Sequence, residues 1–200
     1  MSQVDAPRKP STYRFLREFI TKPFVIGAVA PSSERLAQKM VEGIDLSNAK
    51  AVCEFGPGTG AFTGPILERL PQGCKYFAIE LNPTMAQLWR ERYPGRRLYR
   101  RNVKSVAKLC AREGIDKLDA VFSGLPWASF PDELQIQTLD AMTQVLKPGG
   151  RFITFGYRVG TILPKGRRFY RRLPQYFSHV ERSNYVWRNL PPAFVVRCTR

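Results

Sequence analysis

The chain has 200 residues, 44% of them hydrophobic, enough for one well-packed domain with a single core and short for two. Its 32 Lys and Arg against 16 Asp and Glu give a formal net charge of +16, which predicts attraction to a polyanion, either nucleic acid or an anionic membrane face. Four widely spaced cysteines without a CxxC pair, and a single histidine, His179, argue against a metal site and for reduced thiols in the cytosol.

Residues 1–12 are polar and contain Pro7 and Pro10, the composition of a mobile arm. From Tyr13 the spacing changes: Tyr13, Phe15, Leu16, Phe19 and Ile20 share one helical face until Pro23 stops the helix. The apolar run FVIGAVA at 24–30 is too short to cross a bilayer, and nothing opens the chain as a signal segment, so any membrane contact is expected to be peripheral. A second helix follows PSSE, with Ser32 or Ser33 as its cap and Leu36, Met40, Val41 and Ile44 as its buried stripe. Residues 1–45 are thus expected to form an N-terminal arm with amphipathic helices, and 46–200 the main domain.

After that, strands and helices alternate. AVCEF (51–55), YFAIE (76–80), LYRRN (98–102), LDAVFS (118–123) and RFITF (151–155) read as strands. Between them, one helix starts with Asn82 as cap and Pro83 in its first position, and another ends near Leu146 before KPGG. Strands separated by helices imply an α/β fold with a doubly wound, mostly parallel sheet and right-handed crossovers. The tail, HVERSNYVWRN followed by PPAFVVRCT, reads as two strands that close one sheet edge antiparallel, with His179 a strand residue rather than a base.

The segment CEFGPGTGAF follows the first strand and opens a helix. Gly56, Gly58 and Gly60 let the backbone turn sharply and approach a ligand, and Glu54 ends the strand with a carboxylate expected to face the same crevice. A dinucleotide fingerprint requires a glycine three residues after its second one, and Ala61 or Thr63 stands there instead. A carboxylate beside a pyrophosphate is repulsive, whereas beside a methionine ammonium it is favourable, so S-adenosylmethionine is the expected cofactor and S-adenosylhomocysteine its product. Glu80, at the end of the second strand, is placed to accept both ribose hydroxyls, and Asn102 to meet the adenine edge or simply to form a turn. The expected cofactor set is Glu54, Gly56, Gly58, Thr59, Gly60, Glu80, Leu81, Asn102 and Val103.

The fourth strand ends at Ser123, and SGLPW follows. Methylases of exocyclic base amines carry Asn or Asp before Pro-Pro-Tyr here, and rRNA adenine dimethylases a similar Asn-Leu-Pro-Tyr; the polar side chain accepts an N–H of the flat amine. Gly124 removes that side chain, so Leu125, Pro126 and Trp127 form a wall suited to an alkyl ammonium, with Trp127 offering a cation–π contact or merely packing the loop. The expected acceptor residues are Ser123, Gly124, Leu125, Trp127 and Tyr13, with the carbonyls around Ser123–Leu125 and the phenols of Tyr13 or Tyr157 as amine-orienting groups.

On FLREFITKPFVIGAVAPSS, EFGPGTGAFT, AIELN, SGLPW, LKPGG and VWRNLPPAFV, the chain resembles the bacterial phosphatidylethanolamine N-methyltransferases, from about Phe15 to the C-terminus. The resemblance implies a class I methyltransferase Rossmann-like fold. It also implies transfer of up to three methyl groups to an ethanolamine headgroup, toward phosphatidylcholine, at the cytoplasmic membrane face. Members also methylate other amino lipids such as ornithine lipids. An RNA adenine dimethylase is the competing enzyme, against which Gly124 argues, and a nucleic-acid partner stays open.

Positive charge is concentrated in two stretches: residues 90–112 hold nine Arg and Lys with Glu91 the only acid, and 151–200 hold eleven with Glu181 the only acid. KGRRFYRR contains Lys165, Arg167, Arg168, Arg171 and Arg172 around Phe169 and Tyr170. As a helix it is expected to present guanidinium groups to lipid phosphate and aromatics to the headgroup layer; an RNA backbone or plain solvent are the alternatives. The helix over 13–22 is expected to add an apolar anchor, a lid, or both.

Overall fold

A computed structural model describes residues 34–187, 189 and 191–200. Tyr13, the helix expected over 13–22 and the caps Ser32 and Ser33 lie outside the described residues. Of the arm expected over residues 1–45, residues 1–33 as a whole lie outside the described residues.

Seven strands form one sheet: β1 (Ala51–Phe55), β2 (Lys75–Ile79), β3 (Arg97–Tyr99), β4 (Leu118–Ser123), β5 (Leu146–Tyr157), β6 (His179–Arg182) and β7 (Ala193–Thr199). Their order is β3-β2-β1-β4-β5-β7-β6, with β7 antiparallel to both β5 and β6 and the first five strands parallel. The expected α/β sheet with an antiparallel C-terminal part is therefore present. Winding reverses at β1, because β2 lies on one side of it and β4 on the other, and such a switch opens a crevice at the carboxyl ends of the strands.

Helices cover both faces: α1 (Glu34–Val41), α2 (Thr63–Leu67), α3 (Pro83–Arg92), α4 (Val106–Arg112), α5 (Asp132–Val145) and α6 (Pro164–Arg172). One core layer joins Cys53, Phe55, Phe77, Val121 and Phe152 of the sheet to α4, α5 and α6. The other joins Val52, Ala78, Ala120 and Ile153 to Leu36 and Met40 of α1, Ile66 of α2 and Trp89 of α3. Burial on both faces is why these strands read as near-continuous apolar runs.

Local signals hold at α3, where Asn82 Oδ1 accepts from Met85 N–H at 3.0 Å and Pro83 occupies the first turn. They miss at KPGG. Helix α5 stops at Val145 and β5 begins at once, carrying KPGG as a bulge that shifts the pairing register with β4, with Gly149 at φ 71°. All four cysteines are free, and Cys53, Cys110 and Cys198 are buried. No helix among the described residues is long and apolar enough to cross a membrane.

Candidate cofactor and acceptor cleft

The crevice at the switch point is lined by Gly56 and Gly58 after β1, Ile79, Glu80 and Leu81 after β2, Asn102 and Val103 after β3, and Gly124, Leu125 and Pro126 after β4. Met85 from α3, Phe130, and Leu134 from α5 complete it. Gly56 and Gly58 sit at φ 62° and 57°, backbone that other residues adopt only with strain. Glu80 is buried and holds this loop: its Oε2 accepts from Gly58 N–H at 3.1 Å and its Oε1 from Asn82 N–H at 2.8 Å. Burial raises the Glu80 pKa, and the N–H groups of Asn82, Gly58 and Leu81 oppose that by favouring the anion. Three N–H donors on a carboxylate with about four acceptor directions leave room for a donor in the cleft. Asn102 forms the expected turn, its Oδ1 accepting from Lys104 N–H at 3.0 Å and capping the short 3-10 turn at Val103–Ser105, and the residue lines the cleft.

Several expected residues lie elsewhere. Glu54 does not line the cleft: its side chain enters the α2–α3 layer, where Oε2 accepts from Thr63 Oγ1 at 2.8 Å and from Tyr76 OH. Its Oε1 has no partner among the described residues, and burial pushes its pKa up to about 7, with the Tyr76 and Thr63 hydrogen bonds pulling the other way and Glu80 adding to the rise. Thr59 is exposed and outside the cleft lining, and Gly60 packs under Tyr93, whose OH donates to Gly60 O at 2.9 Å. Tyr157 stacks edge-on against Phe155 at 5.4 Å in that same layer, away from the lining.

The acceptor loop differs from expectation at both ends. Ser123 is fully buried, and its Oγ accepts from Leu125 N–H at 3.3 Å and Trp127 Nε1–H at 3.0 Å, so it shapes the loop from beneath. Trp127 is buried too: its ring stacks on Phe169 at 4.7 Å and 15° and meets Phe152 edge-on at 5.8 Å. No ring face is left for a cation–π contact, and packing is its role. Gly124 donates its N–H to Phe55 O at 2.8 Å, and a Cβ there would overlap Gly56 O. The missing side chain is thus dictated by a close backbone approach between the acceptor loop and the glycine loop. Phe130 and Leu134 replace Trp127 as wall residues; Leu134 was legible as a helical apolar position, but nothing local told that it faces the cleft.

The expected headgroup helix forms as α6, with corrections. Arg168 Nε donates to both Asp132 oxygens at 3.0 and 2.8 Å, and Arg172 reaches Asp132 at 3.3 Å and Gln135 Oε1. Phe169 is fully buried and Tyr170 packs against Phe169 and Phe194, so neither aromatic faces outward. Lys165, Arg167 and Arg171 remain on the exposed side.

These features fit S-adenosylmethionine. A Cβ on Gly58 would meet nothing within 4 Å among the described residues, so within them the loop bounds open space. Beside it stand a buried carboxylate with acceptor capacity left for a ribose hydroxyl, Asn102 for a heterocycle edge, and apolar walls from Ile79, Met85 and Val103 for a flat ring. Among the described residues no group of three or more His, Cys, Asp or Glu could hold a metal ion.

Residues 52–150 match the family described as methyltransferase domain. The chain is 36% identical over 192 residues to the ornithine lipid N-methyltransferase of Singulisphaera acidiphila, covering 93% of this chain and 94% of that protein. The chain belongs to the methyltransferase family. Among solved structures, the methyltransferase is similar to an O-methyltransferase from Bacillus cereus in complex with SAH (TM-score 0.64, 14% identity, 97% of this chain and 92% of that one). It is also similar to the N-methyltransferase NodS from Bradyrhizobium japonicum (TM-score 0.63, 14% identity, 84% and 96%). Both likenesses concern the fold, that of class I methyltransferases. The protein is an S-adenosylmethionine-dependent N-methyltransferase.

Proposed function

We propose that this methyltransferase methylates the headgroup amine of a membrane lipid at the anionic cytoplasmic face, with phosphatidylethanolamine, converted toward phosphatidylcholine, and ornithine lipid as the two candidate acceptors. The observation that carries the reading is the acceptor wall: Leu125, Pro126, Phe130 and Leu134 beside Gly124, where no side-chain amide can stand. Such a wall suits an alkyl amine better than the edge of a base. The ornithine lipid N-methyltransferase among the relatives supports an amino lipid, and the resemblance to phosphatidylethanolamine methylases supports the ethanolamine headgroup.

S-adenosylmethionine supplies an electrophilic methyl group on a sulfonium. The chain's contribution is to orient the amine and exclude water. Of the loop carbonyls, Ser123 O accepts from Thr154 Oγ1 at 3.1 Å and Leu125 O from Trp127 N–H at 2.9 Å. Gly124 O has no donor among the described residues, which makes it the carbonyl to accept an amine N–H and aim the nitrogen lone pair. Membrane docking is supported by exposed Ile162 (70%), Leu163 (44%) and Trp187 (61%), with Arg158 over the Trp187 ring at 5.9 Å and Lys165, Arg167 and Arg171 nearby on α6.

The test is transfer of labelled methyl from S-adenosylmethionine to vesicles containing phosphatidylethanolamine, to vesicles containing ornithine lipid, and to undermethylated ribosomal RNA. Label in either lipid is the expected result and names the headgroup. Label in RNA alone overturns the reading.

A further inference from the structure

Helix α6 and the acceptor loop are joined through one buried amide. Gln135, in the first turns of α5, is fully buried, and its Nε2 donates to Trp127 O at 3.0 Å, Phe130 O at 3.3 Å and Lys165 O at 3.2 Å. Two of these carbonyls belong to the loop and the third to α6. Its Oε1 accepts from Arg172, whose other terminal nitrogen reaches Asp132, the carboxylate that also holds Arg168. Three carbonyls on one side and a guanidinium on the other leave a single sensible orientation for the amide. Packing around it is close: a Cβ on Gly166 of α6 would overlap Gly160 O and press on Ala128 Cβ at 3.0 Å, while Phe169 stacks on Trp127. A shift of α6 therefore carries residues 127–130 with it, and Leu125 and Pro126 are the neighbours of that segment in the cleft.

We infer that Gln135 is a positioning residue for the acceptor loop, and that phosphate at the α6 surface acts on the loop through Asp132, Arg172 and Gln135. The route is electrostatic. Arg168 has a side chain 47% exposed, so a phosphate dianion or diester at that surface competes with Asp132 for its guanidinium. Asp132 released from Arg168 draws more fully on Arg172, which shares its remaining hydrogen bond with Gln135. The amide is the only part of this chain of contacts that touches both the loop and the helix backbone. The phosphate limb rests on the lipid reading above; the positioning limb does not.

The full-length protein labelled with 5-fluorotryptophan tests both limbs, because its three tryptophans report three places. Trp187 is exposed beside the basic surface, Trp127 is in the loop, and Trp89 is buried in the opposite layer as a reference. Fluorine NMR is recorded without vesicles, with phosphatidylcholine vesicles, and with vesicles also containing phosphatidylglycerol, none of which offers a methylatable amine. In the wild type, the anionic vesicles are expected to shift both Trp187 and Trp127. In Gln135→Met the Trp187 shift should persist and the Trp127 shift vanish, with kcat on the amine lipid lowered about tenfold and the dissociation constant for S-adenosylmethionine unchanged within about twofold. Gln135→Glu, which keeps the Arg172 partner and loses the carbonyl donors, should behave like Gln135→Met.

A wild-type Trp127 response in folded Gln135→Met, or equal losses of cofactor affinity and kcat, would overturn the inference. If Gln135→Met does not fold, Arg172→Met decides: an unaltered Trp127 response there also overturns it. Should no lipid amine be methylated while Gln135→Met still displaces the Trp127 resonance of the vesicle-free protein, the lipid reading fails and the positioning role stands.

Discussion

Gly58 donates its N–H to Glu80 Oε2 at 3.1 Å, so the glycine loop after β1 and the carboxylate after β2 hold each other across the floor of the cofactor cleft. Glu80→Ala removes that bond and the acceptor placed for a ribose hydroxyl. Hydrogen bonds to charged groups contribute about 1.5 to 3 kcal/mol each, so affinity for S-adenosylmethionine should fall at least tenfold. Titration calorimetry checks this, and the Michaelis constant for the acceptor should move much less.

Gly124→Ala places a methyl group against Gly56 O, a backbone atom that cannot swing aside. Overpacking of this kind costs about 1 to 3 kcal/mol, and relief requires the glycine loop to move. We expect a lower thermal midpoint together with weaker cofactor binding, although residue 124 is placed on the acceptor side. Calorimetry of the free and cofactor-saturated protein measures both effects, and normal cofactor affinity would contradict the contact.

Glu54 makes stability depend on pH with a definite sign. Burial raises its pKa from 4.5 to about 7, so the native state holds a proton there that the unfolded chain has released. Its contribution is fully present below pH 4.5 and is lost as pH rises toward about 7, a loss of at most about 3 kcal/mol. Urea unfolding across that window should show stability falling less steeply with pH in Glu54→Gln than in the wild type. An identical slope in the two proteins would mean that Glu54 ionises normally.

Cations on α6 should differ in their value to membrane binding. Replacing Lys165, Arg167 and Arg171 together by alanine should weaken sedimentation with anionic vesicles about a hundredfold, at about 1 kcal/mol per residue, and the effect should shrink in high salt. Arg168→Ala should cost less, because its guanidinium is shared with Asp132 in the free protein.

The alternation of apolar runs with helical patterns, Asn82 before Pro83 and the spacing of Gly56 and Gly58 are local features, and they determined the parallel sheet, the capped helix and the cofactor loop. Each depends on backbone geometry that a few neighbouring residues dictate. Which way a side chain points once strands are stacked is not local. Glu54 entered the core layer because its position on β1 faces Thr63 and Tyr76, which are 9 and 22 residues away. Trp127 left the cleft because Phe169, far along the chain, covers its ring. Gly124 was readable as an absent amide, but its reason, the carbonyl of Gly56 pressed against it, exists only where β1 and β4 lie side by side. Charge density on residues 165–172 was plain in the sequence. Only tertiary structure decided which of those cations are held by Asp132 and Gln135 and which face outward, since pairing in space lets one carboxylate 36 and 40 residues away claim two of the five.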